Sequence, residues 1–326
     1  MDYFNPKRTD LRLSRLCLGT MTFGRPVDQA TANRMIEICL AEGINSFDTA
    51  NFYQLGGSET MLGTALRGKR KDVVLGTKVQ HKMGNGPDES GLSKRAILRA
   101  IEDSLRRLQT DYLDIYYLHQ PDRNVPIEES LEAMNSLVCQ GKVRYVGSSN
   151  YASWQICEMH WIAEKNGYQA PMIAQPMYSL LARGIEQEYL PMAKRLGVSS
   201  VVYNPLAAGL LSGKHQQNTI TAGGRFDPAF WGSKLYQERY WHEQSFQAVE
   251  QLKKIAESEG RSLPSLAFNW ILHHTAVGGL ILGASRLEHL EQNLKACKEG
   301  PLSAEAVKAC DEVWRTLRGP APVYNR

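Results

Sequence analysis

The chain has few cysteines and no arrangement of them that does chemistry. Cys17, Cys39, Cys139, Cys157, Cys297 and Cys310 form no CxxC pair and show no metal-ligand spacing. The pattern therefore points to neither a metal site nor a disulfide framework. The thiols are expected to be reduced residues of the core, and no metal is expected. No apolar run is long enough to cross a bilayer, and the opening residues MDYFNPKRTDLRLSR lack an apolar signal-peptide core. These absences predict a cytoplasmic protein with no membrane partner. Long basic runs are missing as well. The densest cluster, Arg67 to Lys71, is short and stops at Asp72, so it reads as a solvated turn rather than a nucleic-acid patch. Two phosphate cradles are absent: no G-x-G-x-x-G follows the first strand and there is no Walker G-x-x-x-x-G-K-[ST].

What is present is a rhythm. Short β-branched or aromatic runs recur at Arg15–Leu18, Ser46–Phe47, Asp72–Thr77, Leu113–Leu118, Val143–Ser148, Met172–Gln175, Ser199–Tyr203 and Gly279–Leu282. Through Tyr203 they repeat at about thirty-residue intervals, the length of one strand–helix–strand unit. Between them lie amphipathic stretches at Ala30–Ala41, Ser58–Leu66, Ser93–Leu108, Ile127–Gln140, Trp154–Lys165 and Ser245–Glu259. In the third, Ala96, Ile97, Ala100, Ile101, Leu105 and Leu108 fall at helical spacing, with Ser93 as N-cap. Alternation of this kind implies parallel pairing. The 326 residues suit an α/β fold, a single (β/α)8 TIM barrel of about 250 residues plus insertions, better than an open doubly wound sheet. The residues before the first barrel strand are expected to form a small hairpin on the barrel floor.

One interval breaks the rhythm. An insertion after strand seven, about 213–241, is rich in glycine and in aromatics, among them Phe226, Phe230, Trp231, Tyr236, Tyr240 and Trp241. Long loops in compact domains are commonly functional, and aromatics argue against disorder. A lid over the barrel mouth and packing on the outer helices are both open. One domain over 1–326 is expected, ending in a tail at about 318–326.

In such a barrel, catalysis belongs at the C-terminal ends of the strands. The residues there form a polar set: Asp48 and then Tyr53, Thr77 and Lys78, His119, Ser149 and Asn150, Gln175, Tyr203 and Asn204, and Gly283 to Arg286. A tyrosine is a poor acid at neutral pH, and a neighbouring ammonium stabilises its phenolate. Lys78 is placed to be that ammonium, with Asp48 keeping it charged and His119 positioned to hydrogen-bond a substrate oxygen. Singly, each residue has a plainer account: an ion pair, a Schiff-base lysine, a satisfied histidine, an exposed aromatic. All four at matching strand ends favour hydride delivery to a carbonyl followed by protonation of the alkoxide.

Seven segments in order resemble the aldo-keto reductase superfamily. They are GINSFDTANFY (Gly43–Tyr53), GTK (Gly76–Lys78), LHQPD (Leu118–Asp122), GSSNY (Gly147–Tyr151), AQPMYSLL (Ala174–Leu181), YNPLAAGLLSGK (Tyr203–Lys214) and GASRLEHLEQNL (Gly283–Leu294). The resemblance implies a nicotinamide-binding (β/α)8 barrel whose catalytic tetrad is Asp48, Tyr53, Lys78 and His119. It implies that Ser149, Asn150 and Gln175 bind the carboxamide and that Tyr203 stacks on the nicotinamide. Gly19, Thr20, Met21 and Asp48 would line the nicotinamide side. Asn204, Pro205, Leu206, Gly209, Leu211, Gly213 and Lys214 would wrap the pyrophosphate. Gly283, Ser285, Arg286, His289, Gln292 and Asn293 would hold the adenosine end. Arg286 and Ser285 suit a 2′-phosphate, which favours NADPH, with NADH as the alternative. The partner is a small-molecule carbonyl compound, such as a sugar-type aldehyde; nucleic acid is not expected. The same superfamily includes potassium-channel β subunits, so a regulatory cofactor-binding role stands as one alternative. NAD(P)+-dependent oxidation of a sugar or polyol is another. The sequence leaves the oligomeric state open.

Overall fold

A computed structural model describes residues 1–220 and 222–320. Ahead of the barrel, β1 (Tyr3–Phe4) and β2 (Leu13–Ser14) pair antiparallel as the expected hairpin. Eight parallel strands then follow: β3 (Leu16–Gly19), β4 (Ser46–Asp48), β5 (Val74–Val79), β6 (Leu113–Leu118), β7 (Val143–Ser149), β8 (Ile173–Gln175), β9 (Ser199–Val202) and β10 (Gly279–Gly283). They pair in sequence order, and β10 returns to β3, closing the barrel. The expected (β/α)8 barrel is therefore present.

The chain divides into two compact units. The first comprises Met1–Pro176, Glu188–Val202 and Gly278–Leu290, and so contains all eight barrel strands. It also holds α1 (Gln29–Ala41), α2 (Gly57–Ala65), α3 (Lys94–Leu108), α4 (Ile127–Cys139), α5 (Ser153–Asn166) and α6 (Tyr189–Leu196). Capping fixes where these helices begin: Asp28 accepts from the Thr31 N–H and Ser93 from the Ala96 N–H. The apolar stripe of α3 (Ala96, Ile97, Ile101, Leu105, Leu108) is buried, while Ala100 is only half-buried.

Two glycines make room in the barrel wall for Tyr117. A Cβ on Gly147 would stand 2.3 Å from the Tyr117 ring, and one on Gly76 3.0 Å from it. Since Tyr117 pairs with both Lys78 and Gly147 in the sheet register, this packing fixes the strands that carry the site.

The second unit comprises Met177–Gln187, Tyr203–Val277 and the chain from Glu291. It contains α7 (Ser233–Tyr240), α8 (Glu243–Ser258), α9 (Leu263–His274) and α11 (Ala304–Arg318), while α10 (Leu287–Cys297) begins in the first unit. Of these only α8 was legible as an amphipathic stretch. Helix α9 is buried on nearly every side, so its residues from Leu263 to Leu272 show no polar face to set a period. The insertion is not all loop, because α7 lies inside it. Its Phe226 and Trp241 rings are 4.7 Å apart, and Trp241 meets Phe246 of α8 edge-on at 5.0 Å, so packing on a helix is part of what these aromatics do. At the C-terminus α11 extends through Arg318; of the expected tail, 321–326 lie outside the described residues.

Cys17, Cys39, Cys297 and Cys310 are buried free thiols as expected, but Cys139 and Cys157 are exposed. Among the described residues no helix is long and apolar enough to cross a membrane. No cluster of three or more His, Cys, Asp or Glu among them is arranged to hold a metal ion.

Candidate active site

Asp48 is the last residue of β4, and Lys78 is the penultimate residue of β5, the adjacent strand. Both are almost wholly buried. The Lys78 ammonium donates to Asp48 Oδ2 at 2.6 Å, to the Thr49 carbonyl at 2.7 Å and to the Tyr53 hydroxyl at 3.4 Å. Burial by itself would drive the Lys78 proton off. The Asp48 carboxylate and then the Tyr53 oxygen oppose it, and the net effect holds the Lys78 pKa above its ordinary value. Tyr53 opens a tight 3-10 turn, Tyr53–Gly56, in which Gln54 and Leu55 both have left-handed backbones (φ 51 and 49). The turn folds the tyrosine ring back until its centroid lies 5.0 Å from the Lys78 nitrogen.

His119 follows β6, and its backbone N–H donates to the Val79 carbonyl. Its ring stands edge-on to Tyr53 at 6.0 Å. Burial first, then the Lys78 ammonium and His81, push its pKa well below the ordinary histidine value, so it is neutral at pH 7. A neutral imidazole hydrogen-bonds an oxygen without bringing a second cation beside Lys78.

The far side of Asp48 is held by the next group of expected residues. Gln175 Nε2 donates to Asp48 Oδ1 at 2.7 Å, and the Ser149 hydroxyl donates to the Gln175 carbonyl at 2.9 Å. Asn150, at φ 63, donates through Nδ2 to the His119 carbonyl and to Ser149 Oγ. Seven sequence-expected residues therefore form one continuous polar constellation on neighbouring strand ends. Gly19 and Thr20 have local duties: a Cβ on Gly19 would stand 2.5 Å from Ile281, and Thr20 Oγ1 donates to the Asp48 carbonyl. Phe23, shortly after β3, is 1% exposed and packed in the core.

The aldo/keto reductase family model matches residues 15–315. The chain belongs to the aldo/keto reductase family. It is therefore an NAD(P)H-dependent oxidoreductase. Its relatives include the rat aflatoxin B1 aldehyde reductase member 2, 37% identical over 95% of this chain and 87% of that protein. A probable voltage-gated potassium channel subunit beta from rice is 36% identical over 93% of each. The uncharacterized oxidoreductase YrpG of Bacillus subtilis is 36% identical over 99% of this chain and 98% of its own length.

Within this family member, the remaining expected cofactor residues fall in two places. Tyr203 to Lys214 lie in the second unit, where Asn204 organises the segment. Its Oδ1 accepts from the Ala208 N–H at 2.9 Å and from Arg225 at 3.1 Å, and its Nδ2 donates to Tyr240. Ala207, Ala208 and Gly209 all have positive φ, a bare and sharply turned backbone that suits close approach of an anion. In the first unit, Ser285 and Arg286 line a cavity of about 490 Å³ together with Thr31 and Arg34 of α1 and the acidic Asp28 and Glu288. Ser285 Oγ is 3.2 Å from His289 Nδ1. Gln292 and Asn293 lie further along α10. Two arginines, a hydroxyl and an open volume fit the phosphate-bearing end of a dinucleotide. Sequence reasoning missed Arg34, Arg225 and the Thr49 carbonyl. No motif marks them, and a backbone acceptor has no letter of its own.

Proposed function

We propose that the protein reduces an aldehyde or ketone to the alcohol, with NADPH as the hydride source and Tyr53 as the proton donor. One observation carries this: a buried ammonium, Lys78, bridges the Asp48 carboxylate and the Tyr53 hydroxyl. When bound, NADPH would be the source of the hydride that reaches the carbonyl carbon. As charge develops on the carbonyl oxygen, Tyr53 gives up its proton to it, and the resulting phenolate faces Lys78. Asp48 keeps that lysine protonated, and Gln175 and Ser149 keep Asp48 aimed. His119, neutral and beside Tyr53, donates to the same oxygen and fixes the face of the carbonyl that is presented.

Arg286 and Arg34 on one cavity support the 2′-phosphate, and hence NADPH over NADH. An aldehyde substrate is supported by the relative named for reduction of aflatoxin B1 aldehyde. The family match runs through both compact units, which supports one reductase domain over 1–326.

The decisive test is Tyr53→Phe, assayed at the nicotinamide absorbance over a panel of aldehydes, ketones and sugars. Turnover is expected to vanish while NADPH fluorescence titration shows unchanged binding; retained turnover would refute Tyr53 as the acid. A role as a channel subunit, the one in the rice relative's name, makes a different forecast, cofactor binding with no turnover of any carbonyl by the unmodified protein.

A further inference from the structure

His119 lacks the hydrogen bond that usually fixes a functional histidine. Its Nδ1 is buried with no partner among the described residues. An imidazole used on one nitrogen is ordinarily held through the other, which sets both tautomer and ring plane. Here the ring is held by other rings. His81 meets it edge-on with centroids 4.7 Å apart and an interplanar angle of 88°. On its other side His81 lies 4.8 Å from Phe52, the residue immediately before Tyr53. Since His119 also stands edge-on to Tyr53, the four rings form a chain that begins and ends on adjacent residues.

The backbone presents His81 to this position under strain. Gln80, just before it, has φ 153, a conformation that residues with a side chain rarely adopt. The Gly91 N–H donates to the Gln80 carbonyl at 2.7 Å and pins the bend. His81 also lines a small cavity of about 50 Å³, whose walls mix apolar residues such as Val79 and Met83 with polar ones such as Asn51 and Asp88. His81 thus both lines this cavity and packs edge-on against His119.

We propose that His81 is a positioning residue of the reaction, holding the His119 ring plane by edge-to-face packing in place of a hydrogen bond. The proposal rests on the reading of His119 as the group that orients the carbonyl. Without His81 that ring contact is lost, and a ring with no partner on Nδ1 is free to rotate. A misplacement of about 1 Å in such a group costs roughly a hundredfold in rate.

The test compares His81→Ala, His81→Leu and His81→Phe with the unmodified enzyme and with Tyr53→Phe, using one small aldehyde and NADPH. His81→Ala and His81→Leu are each expected to lower kcat by about tenfold to a hundredfold, with the NADPH dissociation constant unchanged by fluorescence. His81→Phe, which keeps the ring and discards the nitrogens, is expected to restore kcat to within about threefold. Loss of kcat in His81→Phe equal to that in His81→Ala overturns the packing role, as does wild-type kcat in His81→Ala. Should His81→Ala fail to fold, His81→Leu against His81→Phe decides the same point. If Tyr53→Phe is inactive and the truncations are not impaired, only the role of His81 falls. If Tyr53→Phe turns over, the proposed function falls with it.

Discussion

Asp48→Asn removes one negative charge and almost no volume, yet it should be among the most damaging single changes in this protein. The Lys78–Asp48 pair is sealed, with side-chain exposures of 3% and 5% and a 2.6 Å contact. Removing one partner of a buried pair costs about 3–5 kcal/mol, because the other charge is left without compensation. The lysine has one escape, which is to shed its proton. From an ordinary value of 10.5 this costs about 5 kcal/mol at pH 7, at about 1.4 kcal/mol per pH unit. Either route gives a loss of about 3–5 kcal/mol, lowering a urea midpoint by about 1 M or more.

The pH dependence separates this account from a mere packing defect. In the unmodified protein the folded Lys78 pKa lies above its unfolded value. The pair's contribution is therefore fully present below about pH 10.5 and is lost only as pH rises through the folded pKa. In Asp48→Asn the largest remaining influence is burial, so the folded pKa falls below the unfolded one. Between the two values the unfolded chain binds more protons, and the variant should gain stability as pH rises. Urea unfolding at pH 7 and pH 9.5, followed by circular dichroism, reads both effects. A deficit below about 1 kcal/mol, or one that is the same at both pH values, would refute the reasoning.

Three further outcomes follow from the geometry. Arg286→Ala should raise the NADPH KM about tenfold or more by removing a charge-assisted contact, while leaving the NADH KM nearly unchanged; an unaltered NADPH KM would end the 2′-phosphate assignment. Because folded His119 resists protonation whereas the unfolded chain accepts it below about pH 6.5, stability is lost as pH falls below that value. His119→Phe should flatten that acid limb in a melting series from pH 7 to pH 5, and an unchanged slope would show that His119 does not contribute to it. Gly147→Ala drives a methyl to 2.3 Å from the Tyr117 ring and should cost about 1–3 kcal/mol by thermal melting; a neutral result would mean the ring yields freely.

The barrel was readable because buried parallel strands are written as short apolar runs, and the spacing between them is set by the length of a crossover helix. Asp48, Lys78, His119, Ser149 and Gln175 were readable for the same reason: residues at strand ends in a closed barrel share one end, whatever their separation in the chain. Outside the strands legibility fell. Helix α9 has no polar face to mark it, α7 is short and hidden in an insertion, and both took their form from packing rather than from a period.

The sequence by itself determined the strand and helix alternation and the residue types that stand at the strand ends. Only the tertiary structure decided how those residues engage. A Lys78 in a list of polar residues is compatible with an ion pair or a Schiff base. A Lys78 sealed 2.6 Å from Asp48 and 3.4 Å from the Tyr53 hydroxyl is an ammonium held against a phenol. Likewise nothing in the letters connects His81 with His119. The edge-on contact between them exists because a strained bend at Gln80 turns one ring against the other, and such a bend is set by the fold around it, not by local propensity.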